Sequence, residues 1–177
     1  MYPPGISEAL VHSDAFRGEA DRAFDWRSLG DLQESAGVPI VLKGVLHPDD
    51  ADRAATAGVQ ALVVSNHGGR SLDGALPTAH ALPDVVAAAR GRLEIYVDGG
   101  IRRGADILRA LALGARAVLV GRPFMWGLAM DGSSGVDQVF RSLRTELEVD
   151  AALCGVTRLS EVPRDLVRSD CSCSGRP

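Results

Sequence analysis

Four short segments combine residue types that can do chemistry: Leu42-Lys43-Gly44, Ser65-Asn66-His67-Gly68-Gly69-Arg70, Asp98-Gly99-Gly100-Ile101-Arg102-Arg103-Gly104 and Gly121-Arg122-Pro123. Histidine titrates nearest neutrality and is the natural general base. His67 stands beside two glycines, on backbone that a small molecule can approach. Arg70, three residues on, carries a planar fork that clamps a carboxylate through two parallel hydrogen bonds. A base and a clamp together suit removal of a proton or hydride from a carbon next to a carboxylate.

The two glycine-rich segments point to an anion. Glycines let backbone N–H groups come close to a phosphate, and a helix that follows presents its positive N-terminal end there. Arg102 or Arg122 can add a charge-assisted hydrogen bond. Lys43 is the only lysine against eighteen arginines. At the end of a strand it reads either as a compact cation that stabilises negative charge on a cofactor ring or as a Schiff-base lysine. His12, His47 and His80 read as surface or capping residues. No G-x-S-x-G elbow and no cluster with metal-ligand spacing is present.

Elements must carry these segments. A helix over residues 25–36, capped by Asp25, precedes an alternation of apolar runs and helices. The runs are Val38–Lys43, Gln60–Val64, Leu93–Val97 and Ala117–Val120. The helices are Pro48–Gly58, Ala79–Arg90, Gly104–Leu113 and a long one from about Val136 to Cys154. Strands apolar on both sides and alternating with helices predict an α/β protein with a parallel sheet. A doubly wound sheet and a (β/α)8 barrel both fit. Four units make half of such a barrel, and in a barrel the loops after the last two strands are the usual phosphate site. Each run ends in one of the four segments, and the C-terminal rim of a parallel sheet is where active sites form.

Composition narrows the classes further. The chain has 177 residues, 46% of them hydrophobic, and a formal net charge of −4. That supplies a core and disfavours nucleic acid and anionic membrane as partners. The first residues lack the basic start and apolar stretch of a signal peptide, and arginines interrupt every apolar run. A cytoplasmic location is inferred. Three cysteines, two of them in a C-S-C tail, describe neither a disulfide framework nor a zinc site.

The ordered motifs VLKG, VVSNHGGRSLDG and VDGGIRRGADILRALALGARAVLVGRPFMWGLA resemble the FMN-dependent 2-hydroxy-acid oxidases and dehydrogenases, among them glycolate oxidase, lactate oxidase, mandelate dehydrogenase and flavocytochrome b2. The resemblance runs from about Asp25 to Val162. It implies the C-terminal half of a (β/α)8 TIM barrel, with four parallel βα units corresponding to strands 5–8. Residues 1–24 would be an irregular N-terminal segment, residues 25–162 the half-barrel domain and residues 163–177 a disordered tail. It also implies FMN as cofactor and oxidation of a small 2-hydroxy acid to a 2-oxo acid. Lys43 would contact the N1/O2 edge of the flavin, and Ser65 would also touch it. His67 would be the base and Arg70 the carboxylate clamp. Asp98, Gly99, Gly100, Ile101, Arg102, Gly121 and Arg122 would hold the ribityl phosphate. Strands 1–4, which in that family supply an aspartate that orients the base, have no counterpart here. Ser71 stands where many relatives carry glutamine. A half-barrel leaves two sheet edges and an apolar interior uncovered, so homo-oligomerisation or pairing with a complementary half-barrel is expected. A dehydrogenase of the inosine-monophosphate type shares the phosphate loops but needs a loop cysteine, and the cysteines lie at the far end of this chain.

Overall fold

The computed structural model describes residues 24–168. The chain divides into two compact units, Met1–Val38 and Pro39–Pro177. In the first, α1 spans Trp26–Ala36. Asp25 Oδ1 accepts from the backbone N–H groups of Ser28 at 2.8 Å and Arg27 at 3.0 Å, and from the Ser28 hydroxyl at 3.0 Å. These bonds, those from Ser28 foremost, hold the Asp25 carboxyl below its ordinary range. The expected cap is therefore the one found.

The second unit is a four-stranded parallel sheet in the order β1-β2-β3-β4. The strands are β1 Val41–Val45, β2 Ala61–Val64, β3 Glu94–Val97 and β4 Ala117–Val118. Between them run α2 Pro48–Thr56, α3 Thr78–Ala89 and α4 Gly104–Ala112. The α/β expectation of four parallel units holds. The strand order follows chain order with no reversal point among the described residues, which selects a partial barrel over the doubly wound alternative.

The register separates two layers. Leu42, Leu62 and Ile95 lie abreast, as do Val64, Val97 and Val118. Leu62, Val64, Ile95 and Val97 are buried, together with Ala51, Ala54, Leu82, Val85 and Leu108 of the helices. This is the apolar core. The alternate residues, Val41-Ala61-Glu94 and Lys43-Val63-Tyr96-Ala117, share the other face. That face is wetter: Val41 is 48% exposed. Tyr96 donates its hydroxyl to the Glu94 carboxylate there, a bond that raises the phenol above its ordinary value.

Some boundaries differ from expectation. β1 begins at Val41 rather than Val38 and runs on to Val45, with Gly44 in a register shift between Lys43 and Val45. β4 stops at Val118 rather than Val120. The last helix, α5, begins at Arg122 and ends at Leu153, not at Val136. It is two limbs broken at Asp131 and Gly132, whose backbone leaves the helical region. Gly127 and Gly135 touch backbone to backbone across the break. The first limb is hidden in the sequence because Gly121-Arg122-Pro123 reads as a turn, although proline suits the first turn of a helix. Residues 1–23 and 169–177 lie outside the described residues, and with them the expectations placed there for the N-terminal segment and the C-S-C tail. Of the segment 163–177 read as unstructured, 163–168 contain a 3-10 turn at Arg164–Leu166.

The start of α4 is seated on the second limb of α5. The Gly104 N–H donates to Glu146 Oε2 at 2.9 Å, and a side chain at 104 would run into the backbone of Glu146 and Leu147. Gly104→Ala must push the two helices apart. It is expected to cost roughly 1–3 kcal/mol, the usual cost of overpacking, read as a lowered midpoint in urea unfolding. An unchanged midpoint would show that the helices are not in contact at this point.

Candidate functional site

The C-terminal ends of the strands hold the four segments together. Lys43, in the middle of β1 rather than at its end, just before the register shift, donates from Nζ to Ser65 Oγ at 3.0 Å and lies 3.3 Å from Asp98 Oδ2. Ser65 follows β2 and Asp98 follows β3, so one lysine links three strands. The lysine side chain is 46% exposed and the aspartate 17%. Ser65 is buried, and its oxygen also accepts the His67 N–H at 3.1 Å. Both acceptor positions of that hydroxyl are occupied, which leaves its proton to donate.

His67 occupies a left-handed backbone conformation, φ 55°. That conformation is uncommon for a residue with a side chain and concentrates at functional turns. The turn is closed by Gly69 N–H to Asn66 O at 3.0 Å and Arg70 N–H to His67 O at 3.3 Å. The imidazole is exposed, and its Nδ1 is 3.2 Å from the Ser71 hydroxyl. That contact leaves Nε2 as the ring nitrogen without a partner among the described residues.

The Asp98-Gly99-Gly100 turn is tied from behind. Thr78, buried at the start of α3, donates Oγ1 to the Asp98 carbonyl at 2.7 Å. Asn66 Nδ2 donates to Leu76 O at 3.4 Å. Gly99 has φ 86°, and a side chain there would crowd Thr78 Oγ1 and Asn66 Oδ1. Two buried oxygens have no hydrogen-bond partner among the described residues, Asp98 Oδ1 and Asn66 Oδ1. A buried acceptor left unmade is costly, so these two atoms mark where a donor belongs.

His67, Arg70, Asp98, Gly99, Gly100, Ile101, Arg102, Gly121 and Arg122 line one open cavity of about 380 Å3. Nine of the eleven expected site residues meet there. The other two are joined to it, Lys43 through Asp98 and Ser65 through Lys43 and the His67 amide. Arg122 reaches the turn at Gly68, where a methyl would stand 3.7 Å from its guanidinium. Arg70, Arg102 and Arg122 have no carboxylate partner among the described residues. The one acid lining the cavity, Asp98, is already paired with Lys43. The cavity is therefore electropositive.

One element of the expectation changes. The N-terminus of α4 does not face an anion with open amides. Asp106 Oδ2 accepts the N–H groups of Arg102 at 3.0 Å and Arg103 at 3.1 Å, and Glu146 takes that of Gly104. The helix end is capped by Asp106 of its own first turn and by Glu146 of α5. Amides of Gly99, Gly100 and Gly121 have no recorded acceptor among the described residues, and α5 begins beside them. Thr78, Asn66 and Ser71 were not legible as part of the site. Only Asn66 and Ser71, lying within or next to the histidine motif, carried any signal.

Comparison with known proteins identifies the family. Residues 5–169 match the FMN-dependent dehydrogenase family. An L-lactate oxidase of Nostoc sp. is 51% identical over 161 residues, covering 91% of this chain and 43% of the relative. The 2-hydroxyacid oxidase 2 of Homo sapiens is 46% identical over 143 residues, covering 81% of this chain and 41% of the relative. The crystal structure of mandelate oxidase with (S)-2-phenylpropionate superposes with a TM-score of 0.77 at 48% identity, over 80% of this chain and 42% of that one. The chain spans about two fifths of the length of the relatives it matches. Its motifs, its sheet and its rim of polar residues have one explanation in common: the chain belongs to the FMN-dependent dehydrogenase family.

Proposed function

We propose that this chain forms the cofactor- and substrate-binding part of an FMN-dependent oxidoreductase that converts a 2-hydroxy acid to a 2-oxo acid. The observation that carries the reading is the cavity in which His67 and Arg70 face the Asp98–Arg102 turn and the Gly121-Arg122 helix start.

The residues fit FMN. Arg102 and Arg122 supply unpaired cations, and the glycine turns supply amides, for a phosphate. The orphaned Asp98 Oδ1 suits a hydroxyl donor on the ribityl chain and would repel the phosphate itself. Its place is thus beside the phosphate rather than on it. Lys43, held by Ser65 and Asp98, offers a cation for the electron-rich edge of a flavin ring. Bound FMN would supply the acceptor for the two electrons removed from the substrate.

This chain's own residues do the rest. Arg70 binds the substrate carboxylate through its fork and fixes the carbon that carries the hydroxyl. His67 takes a proton from the bound hydroxy acid. The Ser71 hydroxyl on Nδ1 turns Nε2 toward the substrate. Small 2-hydroxy acids such as lactate or glycolate are the substrate class we favour, following the activities named for the relatives.

A second reading rests on the sheet itself. β1 and β4 are its edges, and Val41 and Leu119 are exposed there. Such edges invite a further chain, so the active species pairs the chain with a complementary half-barrel or a second copy.

Four outcomes are expected. The purified chain should take up FMN, seen as a flavin absorbance spectrum, and anaerobic lactate or glycolate should bleach it; a colourless protein would end the reading for the isolated chain. His67→Gln should retain flavin and lose flavin reduction by about 10²–10⁴-fold, the weight of a general base. Arg70→Lys should raise KM, because the charge stays but the fork is lost. Light scattering should show a species larger than one chain, and a sharp monomer peak with cooperative melting would remove the pairing.

A further inference from the structure

Arg102 reaches the cavity without a carboxylate to hold it. Its backbone N–H is fixed by Asp106, but the side chain beyond has several rotatable bonds. What it meets is the ring of Trp126, with the guanidinium carbon 5.5 Å from the ring centroid. That is within the range of a cation–π contact.

The contact has a particular value at an anion site. A carboxylate partner would orient Arg102 and cancel its charge. An aromatic face orients the guanidinium through its flat side and leaves the five in-plane N–H donors unused. Trp126 stands four residues after Arg122 on the first limb of α5, hence on the same helix face. One rigid helix therefore presents Arg122 directly and Arg102 through the indole. Trp126 itself is 51% exposed and does not line the cavity. With Arg102 it lines a second concavity, which also includes Met130, Gln138 and Glu146.

We propose that Trp126 is a positioning residue for the cofactor phosphate, acting by holding the Arg102 guanidinium in place with its charge intact. The inference rests on the FMN reading above and adds to it a residue that touches neither cofactor nor substrate.

FMN and riboflavin differ by the phosphate alone, so they separate this role from general packing. The test titrates the full 177-residue chain with each flavin, following quenching of flavin fluorescence, for wild type, Trp126→Phe and Trp126→Leu. Leucine keeps apolar bulk and removes the ring face. Trp126→Leu should weaken FMN by about two- to five-fold, the range of an exposed cation–π contact, with riboflavin affinity unchanged. Trp126→Phe should recover most of the FMN affinity. Equal weakening of both flavins, or of neither, in Trp126→Leu would overturn the inference while leaving the FMN reading standing. A wild-type chain that binds neither flavin would overturn both.

Discussion

The bridge from Lys43 to Ser65 and Asp98 is the constraint on which the rest of the site depends. It crosses three strands, so it forms only if the parallel register is correct. Lys43 lies abreast of Val63 and Tyr96, and Ser65 and Asp98 are each two residues beyond those partners, on the same face. A slip of one residue in β2 or β3 would send Ser65 or Asp98 to the helix side. The register is set by the opposite face, where Leu62, Val64, Ile95 and Val97 are buried. Apolar packing on one side of the sheet thus decides which polar groups meet on the other.

Electrostatics then divides the rim into two jobs. Acids satisfy the framework: Asp106 and Glu146 take the amides at the start of α4, and Asp98 takes Lys43. Arginines remain for the ligand. Because Asp106 and Glu146 already occupy the amides at the start of α4, the attraction for an anion under the proposed function would fall to Arg102, Arg122 and the glycine amides. That partition also explains how three arginines can converge on one cavity with Lys43 beside it. Lys43 is compensated, and Arg70, Arg102 and Arg122 are exposed to water, where mutual repulsion is screened.

Much of this was legible in the sequence because it is local. The strand–helix alternation, the Asp25 cap and the rim motifs are all written within a few consecutive residues, and the apolar period identified the elements carrying them. What escaped detection depends on distance in the chain. Thr78 reaches the Asp98 carbonyl twenty residues away, and Glu146 reaches the Gly104 amide from forty-two residues away. The kinked α5 escaped for a different reason. Its first limb contains Gly127 and its break Gly132, residues that a propensity argument counts against helix, whereas close contact between the limbs at Gly127 and Gly135 favours them.

The segment around His67, the proposed base, shows how far a local segment can preorganise a site by itself. His67 is held in an unfavourable backbone conformation by a short hydrogen-bonded turn, and its amide is tied to Ser65. The direction of the ring depends on Ser71 alone among the described residues. A hydroxyl can donate or accept, so it does not commit the imidazole to one tautomer as a carboxylate would. It also supplies no negative charge to stabilise the ring once it has taken a proton. The turn therefore fixes where the base stands more firmly than which form it takes. A carboxylate brought against Nδ1 by a pairing chain would complete what Ser71 begins, and would link assembly across the open sheet edges to the chemistry at His67.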